Sequence, residues 1–177
     1  MLPLDADELW TFSLRFYGND AVCASCLALQ DDCGADVNVL MLAFFAATRG
    51  AQFASPFSAD PSEPSNAWRE SLVVPIRRVR RSLKNTSFTA NVANVGQFKK
   101  SLQAVELEAE RIQQRLLIET GRFTAADLPP SELARLNIEV YARGLDQGLD
   151  ETHVARLHQI FTNDYSHRPP PAMGAPD

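Results

Sequence analysis

The sequence predicts an all-α, single-domain bundle of about six or seven helices. In several segments apolar residues recur at alternating spacings of three and four, which is the pattern of a helix with one buried face. Glycines and capping residues separate these segments, and no segment shows the alternation of apolar and polar residues that predicts a strand. With 177 residues, 45% of them hydrophobic and 22% charged, the chain is long enough for one sizeable core.

Three helices are predicted in the first fifty residues. The first, residues 5–17, starts with acidic side chains, which suit the positive end of the helix dipole. The second runs from about residue 21 to residue 32, after a cap at Asn19 or Asp20. The third, residues 37–49, carries a wide apolar face and is closed by a glycine.

The turn between the second and third helices is expected to be a structural corner. Gly34 supplies the left-handed backbone that ends a helix, and Asp36 has the short acceptor side chain of an N-cap. The side chains of Gln30 and Asn38 are predicted to hydrogen-bond across this corner. Its spacing does not fit an EF-hand that starts at Asp31, because the sixth position would be Asp36 instead of glycine.

The fourth helix is predicted over residues 65–84, after a surface loop at residues 51–64 that is rich in Ala, Ser and Pro. Ser65 is its expected N-cap. Pro75 has no amide hydrogen and is expected to kink or divide the helix. The apolar stripe of this helix consists of Trp68, Leu72, Ile76, Val79 and Leu83.

Residues 95–120 hold the longest regular pattern, with the spacing of helices packed side by side at a shallow angle. A polar turn over residues 85–94 places this helix antiparallel to the fourth. The two helices are predicted to form the central pair of the bundle, with the first three packed on them. The stripe of the long helix consists of Phe98, Leu102, Val105, Ala109, Ile112 and Leu116.

Two shorter helices, at about residues 131–143 and 150–163, complete a predicted domain that spans residues 1–164. Gly121 stops the long helix before them, and Pro129 and Pro130 suit a helix start. Residues 165–177 contain a triple proline and little to pack, so this tail is predicted to be disordered.

The fourth helix carries the dense basic cluster of an otherwise acidic chain, whose net charge is -5. Glu106 and Glu110 are like charges one turn apart on the long helix, so we expect Arg77, Arg80 or Lys84 to pair with them. Few aromatic residues accompany the cluster, and nucleic acid is not an expected partner. The candidate residues for binding a ligand or partner are Arg77, Arg78, Arg80, Arg81, Lys84, Glu106 and Glu110.

Three segments together carry a resemblance to a known family. They are Cys26–Asp31 leading into Gly34–Leu40, the run Trp68–Lys84, and Glu106–Arg111. Over roughly residues 8–120, the chain resembles the DUF2390 family, a group of small bacterial proteins of unknown function. The resemblance implies no activity, cofactor or ligand. The cysteines at positions 23 and 33 and the long Pro-rich tail depart from its pattern.

Cys23, Cys26 and Cys33 cannot all pair within one chain, so a reducing, cytoplasmic setting is favoured over a disulfide framework. The first two have the spacing of a redox or metal pair. No strand precedes them as in a thioredoxin-like motif, and a fourth zinc ligand is not close in the sequence. They are interpreted as small apolar helix residues, with thiol redox or metal binding as the alternative. No metal or cofactor is predicted.

The sequence favours a non-catalytic cytoplasmic binding or adaptor protein whose basic helix contacts an acidic protein partner. The alternative is a protein, enzymatic or not, that binds an anionic small molecule or phosphate between helices through Arg77, Arg80 and Glu106. No Gly-rich phosphate loop, nucleophile elbow or dinucleotide fingerprint occurs. No apolar run approaches the ~18 residues of a membrane span. A homodimer is left open.

Overall fold

The computed structural model describes residues 4–57, 62–84 and 94–165, and it confirms the all-α class. Its helices are α1 (Ala6–Tyr17), α2 (Asp20–Cys33), α3 (Val37–Thr48), α4 (Pro64–Trp68), α5 (Val74–Lys84), α6 (Val95–Thr120), α7 (Pro130–Ala142) and α8 (Glu151–Tyr165). A π-helical segment, Arg69–Val73, joins α4 directly to α5. Two short strands, β1 (Ala51–Phe53) and β2 (Phe123–Ala125), form an antiparallel pair.

The chain divides into two compact units. Unit 1 comprises Met1–Ala59 and Gly121–Asp177, and holds α1 to α3, α7, α8 and both strands. Unit 2 comprises Asp60–Thr120, and holds α4, the π segment, α5 and α6. The predicted single domain over residues 1–164 stays a prediction. The predicted tail falls almost wholly on residues 166–177, which lie outside the described residues, as do residues 85–93 of the predicted polar turn.

Helix α3 forms the centre of unit 1. Every residue from Asn38 to Ala47 is buried, as expected of a helix that is apolar all round. Helices α1 and α7 and strand β1 pack against it, and α8 packs against α2 and α7. Five aromatic rings with neighbouring centroids 4.9–5.5 Å apart fill the space between α1, α3 and α8: Phe12, Phe16, Phe44, Phe161 and Tyr165.

Short acceptor side chains begin several of the helices. Asp5 caps α1, and Asn19 caps α2 by accepting the Ala21 amide at 2.9 Å. Asp150 accepts the amides of Thr152 and His153 at 3.0 and 3.1 Å, at the start of α8. The hydrogen bond from the His153 amide is the main reason that the pKa of Asp150 lies below its ordinary value. The cap predicted at Asn19 or Asp20 is therefore confirmed at Asn19, and the caps at Asp5 and Asp150 add to it.

Strand β1 lies where the sequence predicted a surface loop over residues 51–64, and that prediction was wrong for its first residues. Ala51 pairs with Ala125 and Phe53 pairs with Phe123. Ala51 and Phe53 are both buried, so this backbone cannot find hydrogen-bond partners in water. A three-residue strand is too short to show a period-two pattern, so β1 could not be predicted from periodicity.

Asn137 on α7 holds the buried backbone of β1 in place. Its Nδ2 donates to the carbonyls of Ala43 and Ala51 at 3.1 and 3.0 Å, and its Oδ1 accepts the Phe53 amide at 2.8 Å. The side chain is fully buried. One amide group thus satisfies backbone groups of α3 and β1 inside an apolar core.

The helical run from α4 to α5 is continuous, although Pro75 lies within it. Pro64 occupies the first turn, where its missing amide hydrogen costs nothing, and Ser65, the expected N-cap, is buried inside the helix. Just before Pro75, the Val74 amide donates to the Arg69 carbonyl, five residues earlier. The wider π turn makes room for the proline ring and its lost hydrogen bond. The helix is therefore not divided at Pro75, and the expected kink stays a prediction.

The extra residue of the π turn rotates the face of α5 by about 100°. Two members of the predicted stripe, Leu72 and Val79, are consequently not interior: both are exposed, the latter by 47%. Val73 is buried in their place, and Arg77 and Arg80 are directed towards α6. Residues one position later in the sequence therefore form the inner face.

The bounds of α6 were predicted correctly, but its buried face only in part, since Ala109 is the one member of the predicted stripe that is buried. Phe98 and Val105 of the predicted stripe are more than half exposed. The buried residues of α6 include charged and amide side chains that are not members of that stripe. They are Glu106, Ala109, Gln113, Gln114 and Leu117. The sequence pattern had placed Glu106 and Gln113 at the edge of the interior face.

We expect Asn137→Ala to lower the free energy of unfolding by about 3 kcal/mol, because it leaves buried backbone groups of Ala43, Ala51 and Phe53 without their partner. Urea denaturation measures this change. The control is Arg135→Ala on the exposed side of α7, where the ion pair with Glu139 is worth less than about 1 kcal/mol. A loss from Asn137→Ala no larger than that of the control would contradict the role assigned to this amide.

Candidate functional site

An ion-pair cluster of Arg77, Arg80, Glu106 and Glu110 joins α5 to α6. Arg80 donates two hydrogen bonds to Glu106. Its Nε donates to Oε2, and its Nη2 donates to Oε1 at 3.0 Å. Arg77 contacts both glutamates: its Nε lies 3.5 Å from Glu106 Oε1, and its Nη2 donates to Glu110 Oε1. The pairing predicted from the sequence is confirmed for these four residues. The Lys84 side chain lies outside the described part of the structure.

The cluster is partly withdrawn from water. The Glu106 side chain is 6% exposed and that of Arg77 is 16% exposed. At such burial a carboxylate is costly unless charged donors surround it, and here two arginines do so. Arg77 lies between Glu106 and Glu110, so it also offsets the repulsion between two like charges one turn apart. The four side chains therefore form one connected network of ion pairs.

Trp68 provides a second link between the same two parts of unit 2. Its indole Nε1 donates to the carbonyl of Ala109 at 2.9 Å. Together with the contact between Arg80 and Glu106, this shows that the helices run antiparallel, as the sequence predicted. The amide side chains of Gln113 and Gln114 are 1% exposed. Sequence reasoning missed this polar interior, although Glu106, Glu110 and Gln113 follow the same four-and-three spacing as the apolar stripe.

The remaining residues of the basic cluster lie on one side of this helix pair. Relative to Arg77 and Arg80, the helical period puts Arg78 and Arg81 on the same side of α5. Because α6 runs the opposite way, Lys100, Gln103 and Leu107 lie on that side of the first half of α6. We call this set the basic flank: Arg78, Arg81, Lys100, Gln103 and Leu107.

Four of the five side chains of the basic flank are exposed. Arg78, Lys100 and Gln103 are exposed, Arg81 is half-buried, and Leu107 is 40% exposed. On α6, Glu110 is engaged by Arg77, and Glu108, which follows Leu107, is exposed. The flank therefore presents positive charge around one apolar side chain.

The opposite side of the same pair is apolar. It contains the exposed members of the predicted stripes of the two helices. Leu72, Val79, Phe98 and Val105 are its exposed members. The π turn and the ion-pair cluster together explain this arrangement, because polar residues occupy the interior face that the stripes were expected to fill.

The corner residues have structural roles in unit 1. Gly34 has a φ of 68°, which a residue with a side chain rarely adopts, and Asp36 caps α3 through the Asn38 amide at 2.9 Å. The Asp36 amide donates to the Tyr141 hydroxyl of α7 at 2.6 Å, a contact that the sequence did not indicate. The hydrogen bond between Gln30 and Asn38 stays a prediction.

Residues 8–117 match the family described as "Protein of unknown function (DUF2390)". The match covers more than half of the chain. This chain belongs to the DUF2390 family. The resemblance noted in the sequence is thereby confirmed. No curated protein and no solved structure matches the chain.

The DUF2390 match contains the ion-pair cluster, the basic flank and the corner between α2 and α3. It ends within α6, so α7 with Asn137 and all of α8 lie beyond it. Among the described residues, no helix has both the length and the apolar character needed to cross a lipid bilayer.

The cysteines of this DUF2390 protein are unpaired thiols in α2. Burial raises the pKa of the Cys26 thiol to about 12, and the neighbouring Cys23 adds to the rise. A redox or nucleophilic cysteine needs the opposite shift, since the thiolate is the reactive form. Within the described ranges, no three side chains of His, Cys, Asp or Glu converge as a metal site would require. The thiol alternative gains no support.

We expect Glu106→Gln to lower the free energy of unfolding by about 2 kcal/mol, since it removes the carboxylate that charged donors of both arginines contact. Glu108→Gln is the matched control, because Glu108 lies two residues away on the exposed side of α6. That control should change stability by less than about 0.5 kcal/mol. Equal effects of the two variants in chemical denaturation would show that the cluster adds nothing to stability.

We also expect Cys26 to resist alkylation at pH 8 while Cys23 and Cys33 react. A rise in pKa from 9.0 to about 12 leaves roughly a thousandfold less thiolate at this pH, and the Cys26 side chain is fully buried. Peptide mass spectrometry after timed treatment with iodoacetamide gives the three rates. In denaturant the rates should become similar. Comparable rates in the folded protein would mean that Cys26 is accessible after all.

Proposed function

We propose that this protein is a non-catalytic binding or adaptor protein that contacts an acidic protein partner through the basic flank. The observation that carries the proposal is the division of the basic cluster into two sets. Arg77 and Arg80 are held by Glu106 and Glu110, whereas Arg78 and Lys100 are exposed on the flank. Exposed charge of one sign steers a partner of the opposite sign and selects against others.

Leu107 adds an exposed apolar side chain to the charged residues of this flank. It is 40% exposed between basic and polar side chains of α5 and α6. Protein interfaces commonly combine an apolar contact with a charged, solvated rim. A surface of this kind suits a folded or helical acidic partner better than it suits a freely diffusing ion.

The cysteines support a cytoplasmic setting for this role. All three are free thiols, and Cys26 is fully buried in the core of unit 1. Proteins of reducing compartments carry such unpaired cysteines, whereas small secreted domains usually pair them.

The alternative function is binding of an anionic small molecule or phosphate by the ion-pair cluster. A bound anion would have to displace Glu106 or Glu110 from Arg77 and Arg80, and would leave a partly buried carboxylate without its donors. The described contacts therefore favour the partner over the small ligand. A rise in melting temperature with inorganic phosphate, abolished by Arg77→Ala, would reverse this preference.

The proposal is tested by affinity capture from an extract of the source organism at low salt. We expect the wild-type chain to retain one acidic protein, and Arg78→Glu to reduce its yield at least about tenfold through direct repulsion. Added salt should weaken the capture, because exposed charges are screened.

The control for this capture is Arg156→Glu, which makes the same change of charge at an exposed site on α8 in unit 1. It should retain the partner as the wild type does. If Arg78→Glu and Arg156→Glu captured the same proteins in the same yield, the basic flank would not be the binding surface.

A further inference from the structure

The helix pair of unit 2 has an apolar side opposite the basic flank. Its four exposed members, two on each helical run, are between 37% and 55% exposed. Half-buried members continue the same two stripes at helical spacings of three and four. We call this set the apolar side: Leu72, Ile76, Val79, Leu83, Phe98, Leu102, Val105, Ile112 and Leu116.

The exposed residues that border the apolar side carry little charge. Five of them are small or uncharged: Ser71, Pro75, Ser82, Ser101 and Ala104. Seven and fourteen residues after Ser101, the border of α6 carries Glu108 and Arg115, whose charges are opposite. A strongly charged partner therefore finds no matching field on this side. Two copies of the side would also meet without an excess of like charge.

The apolar side has the pattern of one half of a four-helix bundle. Such a bundle is built from antiparallel helices whose apolar residues recur at alternating spacings of three and four. A fitting second half is another antiparallel pair with the same spacing and length. A second copy of this chain supplies that pair, and two-fold pairing is the commonest arrangement of identical subunits.

The area of the apolar side is sufficient for a dimer. From Phe98 to Leu116, α6 rises about 27 Å, and two packed helices are about 20 Å wide. The side therefore covers about 540 Å² per copy, or about 1,100 Å² for two copies. A specific interface buries at least about 1,000 Å² in total, and interfaces near that limit form reversibly.

We infer that two copies of this chain form a homodimer by packing their apolar sides together, with two helices from each copy in the contact. The basic flank lies on the other side of the helix pair and stays outside this contact. The inference is therefore independent of the proposed function, which uses the flank.

Sedimentation velocity of the full chain from about 1 to about 100 μM tests the dimer. We expect twice the mass of one chain at the upper concentrations. Val105→Glu and Phe98→Glu should each raise the dissociation constant at least about tenfold, because each brings an unpaired carboxylate into the apolar contact. Val105→Ser adds no charge and should raise it roughly threefold or more through lost apolar burial. Far-UV circular dichroism identifies the variants that fold.

The matched control is Leu14→Glu, since Leu14 is as exposed as Val105, at 53%, but lies on α1 in unit 1. This variant should dimerise as the wild type does. Arg78→Glu should also stay dimeric. Added salt should leave the wild-type dimer intact, because salt screens charges but does not weaken apolar contacts.

A wild-type chain that stays monomeric over the whole concentration range would overturn the inference. Wild-type affinity in a folded Val105→Glu, Phe98→Glu or Val105→Ser variant would do the same. A dimer that is lost in high salt or in Arg78→Glu would show that the copies meet through the basic flank instead, and the inference would again fall. Capture of an acidic protein tests the proposed function separately, so either proposal can fail without the other.

Discussion

The arrangement of unit 2 depends on a single constraint, the missing amide hydrogen of Pro75. A regular helix cannot pass through this position without an unpaired carbonyl and a steric clash. The chain accommodates the proline with the π turn of Arg69–Val73, and that turn inserts one residue into the helical register. The insertion rotates α5, so that Arg77 and Arg80 take the inner positions that an uninterrupted helix would give to Ile76 and Val79.

This rotation gives neighbouring arginines different environments. Arg77 and Arg78 are adjacent in the sequence but about 100° apart around the helix. The first is 16% exposed and bound to two glutamates, whereas the second is exposed. Without the π turn, the positive charge would be spread around one face of the helix. With it, Arg77 and Arg80 stabilise the pair of helices, whereas Arg78 is exposed.

Element boundaries followed from the sequence far better than the buried faces did. The bounds of α6 and the cap at Asp36 depend on local signals, namely helical periodicity, glycine and short acceptor side chains. The inner face of α5 depends on the register shift at the π turn, which cannot be predicted from the spacing of apolar residues. The inward position of Glu106 depends on two arginines 26 and 29 residues earlier in the chain. Asn137 has no local signal at all, since its partners belong to α3 and β1.

The residues that match the family do not include all the elements that form the core of unit 1. Helix α3 is buried on all sides, and α7 is one of the elements that cover it. The match ends at residue 117, before α7 begins at Pro130. A fragment limited to the matched residues would expose apolar side chains of α3 and leave the buried backbone of β1 without Asn137. Residues beyond the match are therefore needed for the stability of unit 1, whereas the matched segment already contains every residue of the cluster and of the basic flank.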